Sequence, residues 1–192
     1  MSTDKELKPT RRRLLVRPGE MELIEPTAGP AITGVDSPRE FYWVLKEPAP
    51  LAGMRYPSAQ FPWNTVAAAG FQRVVSLEPG SYDPSPLSIL FAKRLEDLYH
   101  GRPPTDPERQ RHLIRDAVAG VVGALRTGEG VVVHCEGGRG RSGTVIGCVL
   151  RELGWEGSAV IRYLDRLHRA RDTDGWPEAP WQAKLVREYR AG

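Results

Sequence analysis

Two cysteines, Cys135 and Cys148, are too few for a disulfide framework, and the expectation is a reducing, cytoplasmic location. No stretch approaches the roughly 18 consecutive apolar residues that a membrane span requires. The first residues also lack the apolar centre of a secretion signal. The four histidines are scattered and nothing has metal-ligand spacing, so neither metal nor cofactor is expected. The charge surplus is small and local. Of the net +3, residues 1–17 alone carry six basic and two acidic groups, which leaves the remainder of the chain at −1. A folded body of that charge is not expected to bind nucleic acid.

What is present reads as one globular domain behind an irregular arm. Residues 1–35 are rich in proline, glycine and charge, with a short apolar stretch at Met21–Ile24 that suits an edge strand; the domain is placed at 36–192. Phe41–Leu45 reads as a buried strand. Phe61-Pro62-Trp63-Asn64 opens a short helix to Ala69, stopped by Gly70. Gln72–Leu77 is a strand, and Leu87–Leu98 fits strand or helix equally. Leu113, Ala117, Val121 and Leu125 mark the clearest helix, introduced by Thr105-Asp106-Pro107-Glu108 as a capping box and closed by Gly128 and Gly130. Val131–His134 is an apolar strand. Helices follow from about Arg141 to Leu153, Ser158 to Ala170 and Ala179 to Tyr189. The order predicts an α/β fold: a mostly parallel sheet of four to five strands with helices on both faces.

The chemistry lies in Val131–Thr144, VVVHCEGGRGRSGT. Cys135 stands where a strand ends and Arg141 six positions later, where a helix begins. Between them Glu136, Gly137, Gly138, Arg139 and Gly140 can turn their backbone N–H groups inward as an anion cradle, the glycines supplying the unusual dihedrals. The helix start aims unpaired N–H groups at the same point, and the Arg141 guanidinium adds a two-pronged contact to phosphate oxygens. A cysteine at a helix N-terminus beside cations is the kind held as thiolate. Gly138-x-Gly140-x-x-Gly143 also fits a dinucleotide fingerprint, but that motif needs a second parallel strand ending in an acid, and helices follow instead. A sulfurtransferase loop and a merely buried cysteine are the other readings; the arginine, the glycines and Ser142 fit neither as well.

The segment His134-Cys135-EGGRG-Arg141-Ser142 resembles the His-Cys, five residues, Arg, Ser/Thr signature of cysteine-dependent phosphatases. It is most similar to the compact dual-specificity branch that includes kinase-associated and Cdc14-like enzymes. The lipid-phosphatase branch carries lysines where this loop has Glu136. The resemblance spans roughly Phe41 to Tyr189. It implies a two-step hydrolysis of phosphotyrosine, with phosphoserine or phosphothreonine as further substrates, through a phosphocysteine on Cys135. Arg141 would clamp phosphate, Ser142 stabilise the departing thiolate, and His134 hold the loop. Substrates would be a phosphorylated protein or a small phosphate ester. The resemblance also implies an aspartic general acid on a loop upstream, and two residues fit: Asp97, before the Tyr99–Pro104 loop, and Asp106, which equally suits a helix cap; Glu96 and Asp83 are weaker candidates. Gln182 either orients the hydrolytic water or is an ordinary helix-surface glutamine. Cys148, off the centre of its helix's apolar face, reads as packing. The alternatives are a non-catalytic phosphate-binding module and a phosphatase for a small-molecule or lipid phosphate.

Overall fold

Val131–Val133 are three consecutive β-branched residues with no polar residue among them to turn outward, so the strand they form must be buried on both faces. In the computed structural model, which describes residues 22–190, they occupy the middle of the sheet. Its strands are β1 (Phe41–Leu45), β2 (Leu51–Met54), β3 (Phe71–Ser76), β4 (Ser88–Ala92) and β5 (Gly130–His134). Among the described residues the order is β1-β2-β5-β3-β4, with β1 antiparallel to β2 and the other neighbours parallel.

The helices are α1 (Trp63–Ala68), α2 (Pro107–Arg126), α3 (Gly140–Glu152), α4 (Gly157–Arg169) and α5 (Pro180–Glu188). They divide unevenly between the two faces. Helices α2 to α5 pack over Val75, Val131 and Val133, while the opposite face holds, among the described residues, α1 and loop residues around Phe41, Trp43, Val74 and Val132. Alternation along β5 therefore feeds two cores at once. No helix among the described residues is long and apolar enough to cross a membrane.

Several local expectations are revised. Strand β2 has no counterpart in the sequence reading, because Ala52 and Gly53 are poor strand formers. Gly53 is needed there: it pairs with Tyr42, and a side chain at that position would lie 2.2 Å from the Tyr42 ring. Residues 22–24 form no strand, and Met21 lies outside the described residues; Ile24 donates one hydrogen bond to the Val44 carbonyl, 3.0 Å, at the edge of β1. The ambiguous stretch divides into β4 and an irregular run from Lys93. The box at the start of α2 begins one residue later than expected. Asp106 is the cap and accepts from Arg109 N at 3.0 Å, whereas Thr105 binds Glu96 and Glu108 pairs with Arg111. Cys148, read as packing, is fully buried in the core, and burial pushes its thiol far up.

Candidate active site

In a parallel sheet the strand C-termini open onto a common crevice. Cys135 follows β5 at that end and is almost wholly buried, 2% exposed. The chain then wraps through Glu136–Arg139 into α3, whose N-terminus carries no side-chain cap. Its leading N–H groups are therefore left to face the cavity. That cavity, of about 310 Å³, is walled by Cys135, Glu136, Gly137, Arg139, Gly140 and Arg141 from the loop. Asp97, Tyr99, Thr173 and Glu178 complete it.

Gly138 is the one expected cradle residue that does not line this space. It anchors the loop from behind, with φ at +67° and its carbonyl accepting from Tyr42 Oη at 2.8 Å and Arg171 Nη1 at 3.0 Å. A Cβ there would meet the Met54 carbonyl at 2.5 Å. Gly138→Ala should therefore lower stability by about 1–3 kcal/mol in denaturant melts and disturb the loop. Gly137→Ala, whose added carbon meets no atom within 4 Å, should leave stability nearly unchanged.

Arg141 is held before any ligand arrives. One terminal nitrogen binds the Glu78 carboxylate and, at 3.4 Å, the Leu95 carbonyl. The other lies 3.8 Å from Asp97 Oδ2. Asp97 itself is 59% exposed, and its Oδ1 accepts from Tyr99 N at 3.0 Å. Of the acid candidates, the structure brings Asp97 to the cavity and leaves Asp106 at the α2 cap. The Glu96 carboxylate closes its own loop by accepting from Thr105 N and Oγ1, and Asp83 accepts from Ser85.

Arg139, the extra cation of the loop, enters the cavity wall already paired. Its Nε binds Glu178 at 2.9 Å and Nη1 reaches Asp174 at 3.4 Å. Gln182 is buried, not a surface residue: its Oε1 accepts from Glu178 N and Ala179 N at 2.8 and 3.1 Å, which fixes the entry to α5. Ser142 is buried and its hydroxyl has no partner among the described residues.

His134 Nε2 meets the Tyr82 hydroxyl, whose ring stacks on Trp63 at 5.9 Å. Burial, helped by the nearby Arg141 charge, lowers the His134 pKa to about 4. His168 is likewise buried and held well below the usual imidazole range, by burial and then by Arg171 and Arg139. Both rings are neutral at pH 7. An unfolded imidazole takes its proton near 6.5, so the unfolded chain binds more protons between that pH and about 4. The stability present above pH 6.5 should therefore fall as pH drops through that window, by about 3 kcal/mol for His134 alone. Urea midpoints measured from pH 7.5 to 4.5 read this directly.

The sequence reading missed Glu78, Tyr42, Arg171, Trp176 and Glu178. Arg171 is 4% exposed, and a buried guanidinium is tolerated only when its donors are satisfied. Here they reach the carbonyls of Pro38, Arg39 and Gly138 and His168 Nδ1, with the group 4.3 Å over the Tyr42 ring. Only Glu78 had a usable signal: a carboxylate two residues past β3, beside the end of β5. Among the described residues no group of three or more His, Cys, Asp or Glu could hold a metal ion.

Comparison with known proteins bears on the family and the fold. A family model described as "PTP-SAK: Swiss Army Knife protein, DSP-PTPase phosphatase domain" matches residues 38–177. Similar solved structures include the core catalytic domain of the PP-IP phosphatase SIW14 from S. cerevisiae in complex with citrate. That match has a TM-score of 0.51 and 15% identity, over 73% of this chain and 80% of that one. Kinase associated phosphatase, with its catalytic-site cysteine substituted by serine, matches with a TM-score of 0.55 and 16% identity, over 74% and 86%. A cysteine-to-serine form of P. aeruginosa TpbA in complex with pTyr matches with a TM-score of 0.53 and 18% identity, over 84% and 92%. At these identities the structural likeness speaks to the fold.

Proposed function

Because this chain belongs to the DSP-PTPase phosphatase family, we propose that it hydrolyses phosphotyrosine on proteins, and secondarily phosphoserine or phosphothreonine, through a phosphocysteine on Cys135. The observation that carries the chemistry is convergence. The uncapped start of α3, the Arg141 guanidinium, the Cys135 sulfur and the Asp97 carboxyl meet around one cavity.

In the first step the Cys135 thiolate attacks phosphorus in line. A P–S bond forms, the P–O bond to the leaving group breaks, and Asp97 gives its proton to the departing oxygen. Arg141 and the loop N–H groups hold the equatorial oxygens. In the second step Asp97, now a carboxylate, takes a proton from water as that water attacks phosphorus. The P–S bond breaks, and the unpartnered Ser142 hydroxyl is free to donate to the departing thiolate. Gln182 has only its amide nitrogen available to orient that water, since its oxygen is bound to the α5 entry.

Charge at the mouth favours a single phosphate on an aromatic carrier. Beyond Arg141, Arg139 is paired with Glu178 and Asp174, Arg39 with Asp172, and Arg94 with Glu78, which leaves Arg55, at the end of β2, as a single exposed cation near the loop without an ion pair among the described residues. An inositol pyrophosphate, the substrate class of SIW14, needs several unpaired cations, whereas Tyr99, 60% exposed, offers an aromatic face at the cavity wall. The test is steady-state kinetics on a phosphotyrosine peptide, a phosphothreonine peptide and an inositol polyphosphate, each with and without EDTA. The expected order of kcat/KM is the order given, unchanged by EDTA. Preference for the inositol substrate would replace the protein reading. Binding without turnover of any phosphate ester would make the chain a phosphate-binding module.

A further inference from the structure

A second concave surface lies along α2. Two adjoining depressions, of about 280 and 500 Å³, share Arg115, Tyr189 and Arg190 and so form one groove between α2 and the chain that leaves α5. Its base is apolar, supplied by Ile114, Val118, Val122 and Leu185. Its rim is cationic, with Arg111, Arg115, Arg126 and Arg190 against Glu152 and Glu188. Arg111 is bound to Glu108. Arg115, Arg126 and Arg190 have no carboxylate within ion-pair distance among the described residues, in contrast with the paired arginines at the catalytic mouth.

The groove also connects to the catalytic apparatus. Ile114 lines both the groove and a small void that touches Leu95, Leu98 and Arg141 beneath the loop carrying Asp97. From Arg111 to Arg126 the helix advances about 22 Å at 1.5 Å per residue, room for roughly six or seven extended residues.

We propose that this groove docks an acidic segment with apolar side chains, and, resting on the phosphatase reading, that the segment belongs to the phosphoprotein substrate. Unpaired arginines over an apolar base suit carboxylates at the rim and aliphatic side chains beneath. Such a rim acts on association and on the choice of partner.

Fluorescence anisotropy of the full chain with a fluorescein-labelled Glu-Leu-Glu-Glu-Leu-Glu-Glu-Leu peptide tests this. Saturable binding is expected, weakened by raising salt from 50 to 300 mM as screening requires, and absent for the same peptide with lysine in place of glutamate. The double variant Arg115→Glu/Arg126→Glu should raise Kd at least tenfold. Gly123→Leu should raise it too: a Cβ added at Gly123 meets no atom within 4 Å, so the longer side chain sets out into the open groove, and leucine favours the helix. Both variants should hydrolyse p-nitrophenyl phosphate at the wild-type rate. A phosphotyrosine peptide extended by the acidic segment should show a lower KM than the unextended peptide in the wild type only, with kcat unchanged.

Absent binding, equal binding of the lysine peptide, or indifference to both variants overturns the docking proposal. So does a wild-type dimer that Gly123→Leu dissociates, because a second copy would then occupy the groove. Peptide binding intact in a chain that turns over no aryl phosphate would instead sink the phosphatase reading and leave the acidic-segment site standing.

Discussion

Cys135→Ser is expected to abolish turnover of p-nitrophenyl phosphate, with a fall in kcat of about 10⁵-fold or more, the scale on which loss of a nucleophile acts. The serine hydroxyl at that position has no general base poised to activate it. His134 is directed at Tyr82 and is a weak base with a pKa near 4. Phosphate binding should survive, because Arg141 stays fixed by Glu78 and the α3 N-terminus is unchanged. Serine replaces a sulfhydryl of similar size at a 2% exposed position, so thermal melts should coincide with wild type. A variant that keeps more than a hundredth of the activity would remove Cys135 from the chemistry.

Asp97→Asn should lower kcat on aryl phosphates by roughly 10²–10⁴-fold, the usual contribution of general acid catalysis. The loss should shrink as the leaving phenol becomes more acidic, since such a group departs without a proton. Asparagine keeps the carbonyl oxygen that accepts from Tyr99 N, so the loop is expected to hold its shape. Asp106→Asn makes the contrast: a cap retained in part, near-normal kinetics and, for Asp106→Ala, a stability loss of about 0.5–2 kcal/mol. The reverse pattern, with Asp106 variants inactive and Asp97 variants normal across leaving groups, would hand the acid role to Asp106.

How much could be read in advance followed from distance along the chain. The strand, cradle and arginine from Val131 to Ser142 were legible because every group the chemistry needs is contiguous there. The long amphipathic helix was legible because its period spans 20 residues. Strand β2 was not, since Gly53 answers to the Tyr42 ring rather than to any strand propensity. The supports of the loop were hidden for the same reason. Arg171, Glu178 and Trp176 act on residues more than 30 positions away, and a lone arginine or glutamate in a polar stretch looks like solvated surface until the fold closes over it. Gln182 was undecided between surface and site because its burial depends on α5 docking against α3.

Strand β5 is fifth along the chain but third across the sheet, and this orders the protein's assembly on the ribosome. As the nascent chain emerges, β2 and β3 each lack the strand that pairs their inner edge in the finished sheet. Those edges stay open until residue 134 has left the tunnel, and open strand edges recruit other chains. The catalytic loop then exists before its supports do, since Arg171 and Glu178 are translated some 30 to 40 codons after Gly138 and Arg139, which they brace. A stalled chain released before those codons would carry the complete Cys–Arg signature and an unformed cradle. Active enzyme should therefore appear only once Glu178 has emerged, which released chains truncated before and after that residue would display.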